Sequence, residues 1–441
     1  MKSRSAKAVV CAAVLGAAAV FAAEDPFAAA ELRGVTDRNP VAYGVGDPIE
    51  FSVSVAGVES WPDADNYFVA WLRTGDDGET VSGAERVGAW KTNFTVKTTL
   101  RTAGFVRLEA RLMGPDYNPL FARREDGQPR DIAFHGGAGA GVSTLRQAVP
   151  EPKDFDAFWA RQKARLADVP LKAVLKDAPE FTSGKVRTWT VRIDCAGPRP
   201  ATGYVSIPVG AKPKSLRAVV GFNGYGAQVK GFPPRPERLR DDEIAFRLNA
   251  FGYEMDGTKE YYRDFFASIR SPEHTYALDP AENVRPETCF FNGMVLRVLR
   301  ALEYVKSLPE WNGRDLVVEG RSQGGLQTIW AAGLDGDVTE ARPEITWCCD
   351  LGGFKAGRLE AAWRVPYVDE LGYYDAVNFA KRVRCEVNIT RAGLGDYICP
   401  PSGLAVLFNA IPTRKSINWY QGSRHAIVPP NPPVVHVNGN K

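Results

Sequence analysis

Histidine is scarce in this chain of 441 residues: His135, His274, His425 and His436 are all it has. Any chemistry that needs an imidazole base must draw on one of these four. No H-E-x-x-H pair, P-loop or G-x-G-x-x-G stretch occurs, so the residue sets that hold catalytic zinc or nucleotide phosphates are missing. The cysteines form no C-x-x-C pair and have no histidine close in sequence, which excludes a zinc-ligand spacing. An excess of charge is also lacking. Three of the 55 basic residues (Lys2, Arg4, Lys7) and no acid fall within the first 23 positions, so the remainder balances its 52 acidic residues. A neutral chain without a basic block has no electrostatic footprint for nucleic acid or for an anionic membrane.

What is present is ordinary globular composition, with 44% apolar and 24% charged residues. At about 150 residues per domain this length predicts two or three domains. Residues 1–23 read as a secretory signal. Lys2, Arg4 and Lys7 precede an apolar run from Ala8 to Ala22, and Val20-Phe21-Ala22 supplies small residues before a cut. The run is short of the roughly 20 residues that span a bilayer, and no later stretch is apolar enough. The expected location is therefore secreted or periplasmic. Cys195, Cys289, Cys348, Cys349, Cys385 and Cys399 lie beyond the signal. They are expected to be structural, as small buried hydrophobes, with no bridge assigned.

From Pro26 to Val149 short alternating runs are separated by turns, as in Ile49–Val55, Tyr67–Leu72 and Phe105–Ala110. Period-two apolarity predicts antiparallel strands in two facing sheets, an all-β, immunoglobulin-like sandwich over 24–145. The glycine-dense stretch Phe134–Gly141 reads as a linker. After Glu151 the rhythm changes, and a helix opens at Asp154–Ala160. Strands at Ala218–Phe222, Leu316–Val318, Ile345–Cys349, Val387–Thr390 and Ile417–Tyr420 then alternate with helical stretches such as Phe291–Lys306. That alternation predicts an α/β domain over 146–441, a mostly parallel sheet covered by helices.

The strongest local signal is Gly320-Arg321-Ser322-Gln323-Gly324-Gly325, between the Leu316 strand and a helix over Leu326–Ala332. This is a G-x-S-x-G nucleophile elbow in the strand–turn–helix setting it requires, and it nominates Ser322. The glycines stand where a side chain would strike the neighbouring strand and helix. In that fold the acid and then the histidine follow the serine. His425, five residues past the strand ending at Tyr420, is the favoured base over His436 in the proline-rich tail. Asp396, after the Val387 strand, is the favoured acid, with Asp350 as its rival. The backbone amide of Gln323 and one from the loop Asn223-Gly224-Tyr225-Gly226, nominally Tyr225, are expected to receive an oxyanion. Such a site needs neither metal nor organic cofactor.

With these residues in place, the chain resembles the acetyl xylan esterase and cephalosporin-C deacetylase family, the carbohydrate esterases of family seven, from about Glu151 to Ile427. The likeness is carried by Asp154–Trp159, Gly224-Tyr225, Gly320–Gly325, Tyr374–Ala380 and Gly393–Ser402. It implies an α/β-hydrolase fold with a helical insertion after the Ile345 strand. It also implies Ser322, Asp396 and His425 as triad, Tyr225 and Gln323 as oxyanion amides, an acetylated carbohydrate as substrate, and a homo-oligomer. Two family features are missing. Gly252–Cys289 holds no Arg-Gly-Gln-Gly stretch, and His425 is followed by Ala426 where the family has Glu. A hydrolase of other esters or of peptides, and a non-catalytic carbohydrate-binding relative, are the alternative readings.

Overall fold

The computed structural model describes residues 25–439, except 63–65, 125, 227–235 and 237–239. The signal expected over 1–23 lies outside the described residues. Among those that are described, no helix is long and apolar enough to cross a membrane.

The carboxyl-terminal part is built on one mixed sheet of ten strands. At its centre run Glu243–Asn249, Leu216–Phe222, Trp311–Arg321, Glu340–Glu344, Glu386–Gly393 and Lys415–Tyr420, paired in parallel in that order. Ala173–Asp177, Val186–Ile193 and Ala201–Pro208 extend one edge antiparallel, and Val434–Gly439 closes the other. The centre is fully buried. Ala218, Val220, Phe222, Leu316, Val318, Val387 and Ile417 have essentially no exposure, as expected of parallel strands covered on both faces. Helix Phe290–Ser307 lies on one face, buried along Met294, Val298, Ala301, Leu302 and Val305. The antiparallel edges make this a mixed sheet around a parallel centre.

Smaller sheets precede it. Glu31–Thr36, Ile49–Ala56 and Asn93–Thr98 form one of three strands. Thr80–Val87, Tyr67–Gly75, Gly104–Met113 and Ala133–Ala140 form one of four. Alternate residues such as Phe51, Val53, Val69, Leu108 and Ala110 meet in a separate apolar core. Period-two patterning therefore located these strands correctly.

Three expectations need correction. The glycine-dense stretch is not a linker. Ala133–Ala140 is a buried strand in register with Gly104–Met113, and its glycines serve close approach rather than flexibility. The run Ile345–Cys349 is not a strand either. The ladder ends at Glu344, and Ile345, Cys348 and Asp350 all adopt positive φ. The chain bends here because it wraps the serine turn: Ser322 N–H donates to the Glu344 carbonyl (2.9 Å) and Trp347 N–H to the Ser322 carbonyl (3.1 Å). The insertion after it is mostly irregular, with short turns at Gly353–Ala356 and Asp369–Tyr373 and one helix, Ala376–Ala380.

Candidate active site

Ser322 stands between strand Trp311–Arg321 and helix Gln323–Leu334 with φ 58° and ψ −115°. A non-glycine residue in that region carries a cost of about 1–3 kcal/mol, met by the surrounding structure. The glycines around it are sterically required. A Cβ on Gly320 would come within 2.6 Å of Gly324 backbone, and one on Gly324 within 2.3 Å of the Phe222 carbonyl oxygen. These contacts press strand, turn and helix together and lift the serine to the carboxyl end of the sheet.

Asp396 and His425 reach the same end from two neighbouring strands, Glu386–Gly393 and Lys415–Tyr420. His425 Nδ1 lies 3.0 Å from Asp396 Oδ2. The other carboxylate oxygen accepts the backbone N–H groups of Ile398 (2.9 Å) and Cys399 (3.0 Å). A carboxylate can only accept, so it fixes the proton on Nδ1 and leaves Nε2 as a base. The Asp396 side chain is wholly buried, whereas His425 is a quarter exposed. Ser322 and His425 line one cleft of about 840 Å³, together with Tyr225, Arg247, Trp363 and Ile398. No direct Ser322–His425 hydrogen bond is formed among the described residues, which is common for this pair before substrate tightens the site.

The histidine loop is held by its backbone. Arg321 Nη2 donates to the His425 carbonyl at 2.5 Å, and Arg391 donates to the Ser423 hydroxyl and the Arg424 carbonyl, both at 3.3 Å. Glu344 takes the Arg391 guanidinium at 2.5 and 2.8 Å. These contacts secure the loop that carries His425 and Ala426.

The two expected oxyanion donors come from different elements and are tied together. Tyr225 follows strand Leu216–Phe222, and Gln323 opens the nucleophile helix. Gly226 N–H donates to the Tyr276 hydroxyl (3.2 Å), which donates to Gln323 Oε1 (2.9 Å). Gln327 Nε2 bridges the carbonyls of Asn223 and Gln323. The Tyr225 ring stacks on Tyr276 at 4.3 Å and meets Trp363 edge-on at 4.4 Å. Burial pushes its hydroxyl up to about 12, with Thr275 pulling the other way.

Cys399 sits beside the nucleophile. Burial raises its thiol well above the ordinary range, joined by the nearby Asp396 and Cys349, while its hydrogen bond with Ser322 acts in the opposite direction. The thiol therefore stays protonated. Asp396, Cys399 and His425 place donor atoms within 4.8 Å of one another, the one such trio among the described residues. Two of the three, Asp396 and His425, are hydrogen-bonded to each other. All six described cysteines are free thiols.

The rivals fall elsewhere. Asp350 Oδ2 pairs with Arg358 and its Oδ1 accepts the Ala148 N–H (2.8 Å), a fastening between segments. His436 lies on the terminal strand, held by Asn418 and Asn438. Sequence patterning missed Arg391, Glu344, Tyr276 and Gln327, which carry no local motif and act only through the fold.

Known proteins carry the same framework. The solved structure of an acetyl xylan esterase from Paenibacillus sp. R4 superposes with a TM-score of 0.51 at 20% identity, covering 64% of this chain and 93% of that one. Acetyl xylan esterase 1 from Thermoanaerobacterium sp. JW/SL YS485 gives 0.51 at 18% identity, over 64% and 92%. These likenesses show the fold. In sequence, the acetyl esterase Axe7A of Xylanibacter ruminicola is 26% identical over 293 residues, which are 64% of this chain and 65% of that protein. The family model described as acetyl xylan esterase (AXE1) matches residues 140–356 and 354–433. Most of the chain, including the serine turn, the acid loop and the histidine loop, falls within that match, and the protein belongs to the acetyl xylan esterase family.

Proposed function

We propose that the protein is a serine esterase that removes acetyl groups from xylan-derived or related carbohydrates. The observation that carries this reading is the buried Asp396 carboxylate holding His425 at 3.0 Å beside a strained serine in the same cleft. In the mechanism it supports, His425 Nε2 takes the Ser322 proton as the hydroxyl attacks the ester carbonyl. Asp396 stabilises the imidazolium. The Tyr225 and Gln323 amides receive the oxyanion, each worth about 3–4 kcal/mol. His425 then gives its proton to the departing sugar hydroxyl, and water, activated by the same imidazole, releases acetate from the acyl-serine.

The basic then apolar pattern of residues 1–23 supports export from the cytoplasm. The two antiparallel sheets with their own core support an immunoglobulin-like sandwich over 24–145, ahead of a catalytic domain over 146–441. The family and the name of its curated relative support an acetylated carbohydrate as substrate.

Release of acetate from acetylated xylo-oligosaccharides by the purified protein, with Ser322→Ala as control, tests the proposal. The alanine variant is expected to lose at least about 10⁴-fold in kcat. Turnover at the parent rate in that variant would remove the serine mechanism.

A further inference from the structure

The two loops that carry the acid and the base rest on the amino-terminal sheets. Gln421, in the histidine loop and almost fully buried, pairs its side-chain amide with both backbone groups of Gly137. Gly137 N–H donates to Gln421 Oε1 at 2.9 Å, and Gln421 Nε2 donates to the Gly137 carbonyl at 3.0 Å. In the acid loop, a Cβ on Gly395 would lie 2.0 Å from the His135 carbonyl oxygen. One on Gly137 would lie 2.6 Å from the Leu394 carbonyl oxygen. Backbone thus meets backbone on both sides. Tyr397, next to Asp396, lies under the Arg107 guanidinium at 3.8 Å. Arg424, next to His425, pairs with Asp131 at 3.2 Å. Phe105 meets Trp419 at 5.4 Å, on the strand that leads into the histidine loop.

The loops are also bonded to each other. Leu394 N–H donates to the Tyr420 carbonyl (3.0 Å) and Gly395 N–H to the Ser423 carbonyl (3.1 Å). A shift of strand Ala133–Ala140 is therefore passed to the acid and the base together. We propose that the amino-terminal sheets are a working part of the active site, in which strand Ala133–Ala140 sets the Asp396–His425 contact and Gln421 is a positioning residue. The inference rests on the esterase reading only in taking these two side chains as the catalytic acid and base. Apolar side chains would suffice for mere packing. The bare backbone and the two-point amide clasp instead fix distance and register at the residues flanking the triad.

The test compares Gly137→Ala and Gln421→Leu with Val81→Ala in the full-length protein. Val81 is an exposed side chain on Thr80–Val87, the edge strand of the same sheet, which pairs with neither strand Gly104–Met113 nor strand Ala133–Ala140. The downfield resonance of the His425 Nδ1 proton, which reports its hydrogen bond to Asp396, is followed by NMR, alongside kcat and KM on p-nitrophenyl acetate. In Gly137→Ala and Gln421→Leu that hydrogen bond is expected to lengthen, so the resonance moves upfield or is lost to exchange. In these two variants kcat is expected to fall about tenfold to a hundredfold with KM little changed. Val81→Ala is expected to match the parent. If Gly137→Ala fails to fold, Gln421→Leu, which adds no bulk, carries the same comparison. An unchanged Nδ1 proton resonance in the two test variants, or an equal change in Val81→Ala, overturns the proposal. If the parent shows no ester hydrolysis while the resonance still changes in the two test variants, the esterase reading falls and this one stands.

Discussion

The acid is the side chain whose chemistry depends most on its immediate partners. Asp396 accepts two backbone N–H groups on one oxygen and faces His425 with the other. In Asp396→Asn the amide oxygen would keep the backbone bonds, which turns the NH₂ toward His425. Nδ1 must then accept, the proton moves to Nε2, and the base is blocked. A loss of about 10⁴-fold in kcat is expected with little change in melting temperature. Steady-state kinetics and thermal melts on one preparation check both halves. Retained activity would mean that the carboxylate does not set the tautomer. The identities of Ser322, Asp396 and His425 were legible because fold-specific order and a four-histidine inventory left few choices. Arg391 and Glu344 were not legible, since the contact they make joins two strands, Glu340–Glu344 and Glu386–Gly393, that only the fold pairs.

The serine turn is the element where local and tertiary demands meet. Within a helix, alanine is ordinarily better than glycine by about 1 kcal/mol. Gly324 lies in the first turn of Gln323–Leu334, yet its Cβ would meet the Phe222 carbonyl at 2.3 Å. Backbone cannot step aside cheaply, so Gly324→Ala is expected to destabilise by about 3 kcal/mol or more. Urea unfolding of the variant decides the sign, and a gain in stability would show that the turn relaxes. The same clash logic explains where sequence reading failed. Ile345–Cys349 has strand composition, but its chain must bend around the elbow. Phe134–Gly141 has linker composition, but its glycines admit the acid loop.

At the scale of the whole molecule, the junction between the small sheets and the mixed sheet encloses His135. Its ring is buried, both nitrogens lack a hydrogen-bond partner, and the Glu109 carboxylate stays 3.7 Å away. Burial, and then the charges of Arg424, Arg107 and Arg111, lower its pKa to about 3. The folded pKa lies below the ordinary value of about 6.5, so the unfolded chain takes up a proton where the folded chain does not. Stability from this site is complete above pH of about 6.5 and is lost as pH falls toward about 3, with a slope approaching 1.4 kcal/mol per pH unit. Denaturant midpoints between pH 7 and 4 are expected to fall more steeply for the parent than for His135→Phe. Parallel curves would show that the ring is protonated in the folded state.

The amino-acid sequence alone determined the alternation of strands and helices in the carboxyl-terminal part, the serine turn and the three triad positions. Each is encoded within a few residues, by apolar period, by glycine at a tight turn and by the sequence of motifs along the chain. Tertiary structure decided which surfaces meet. That glycine-rich strand Ala133–Ala140 lies against the acid and histidine loops, and that Arg391 reaches the Arg424 carbonyl, follows from contacts between residues far apart in the chain. Composition records that a backbone can be approached closely, but only packing settles what approaches it.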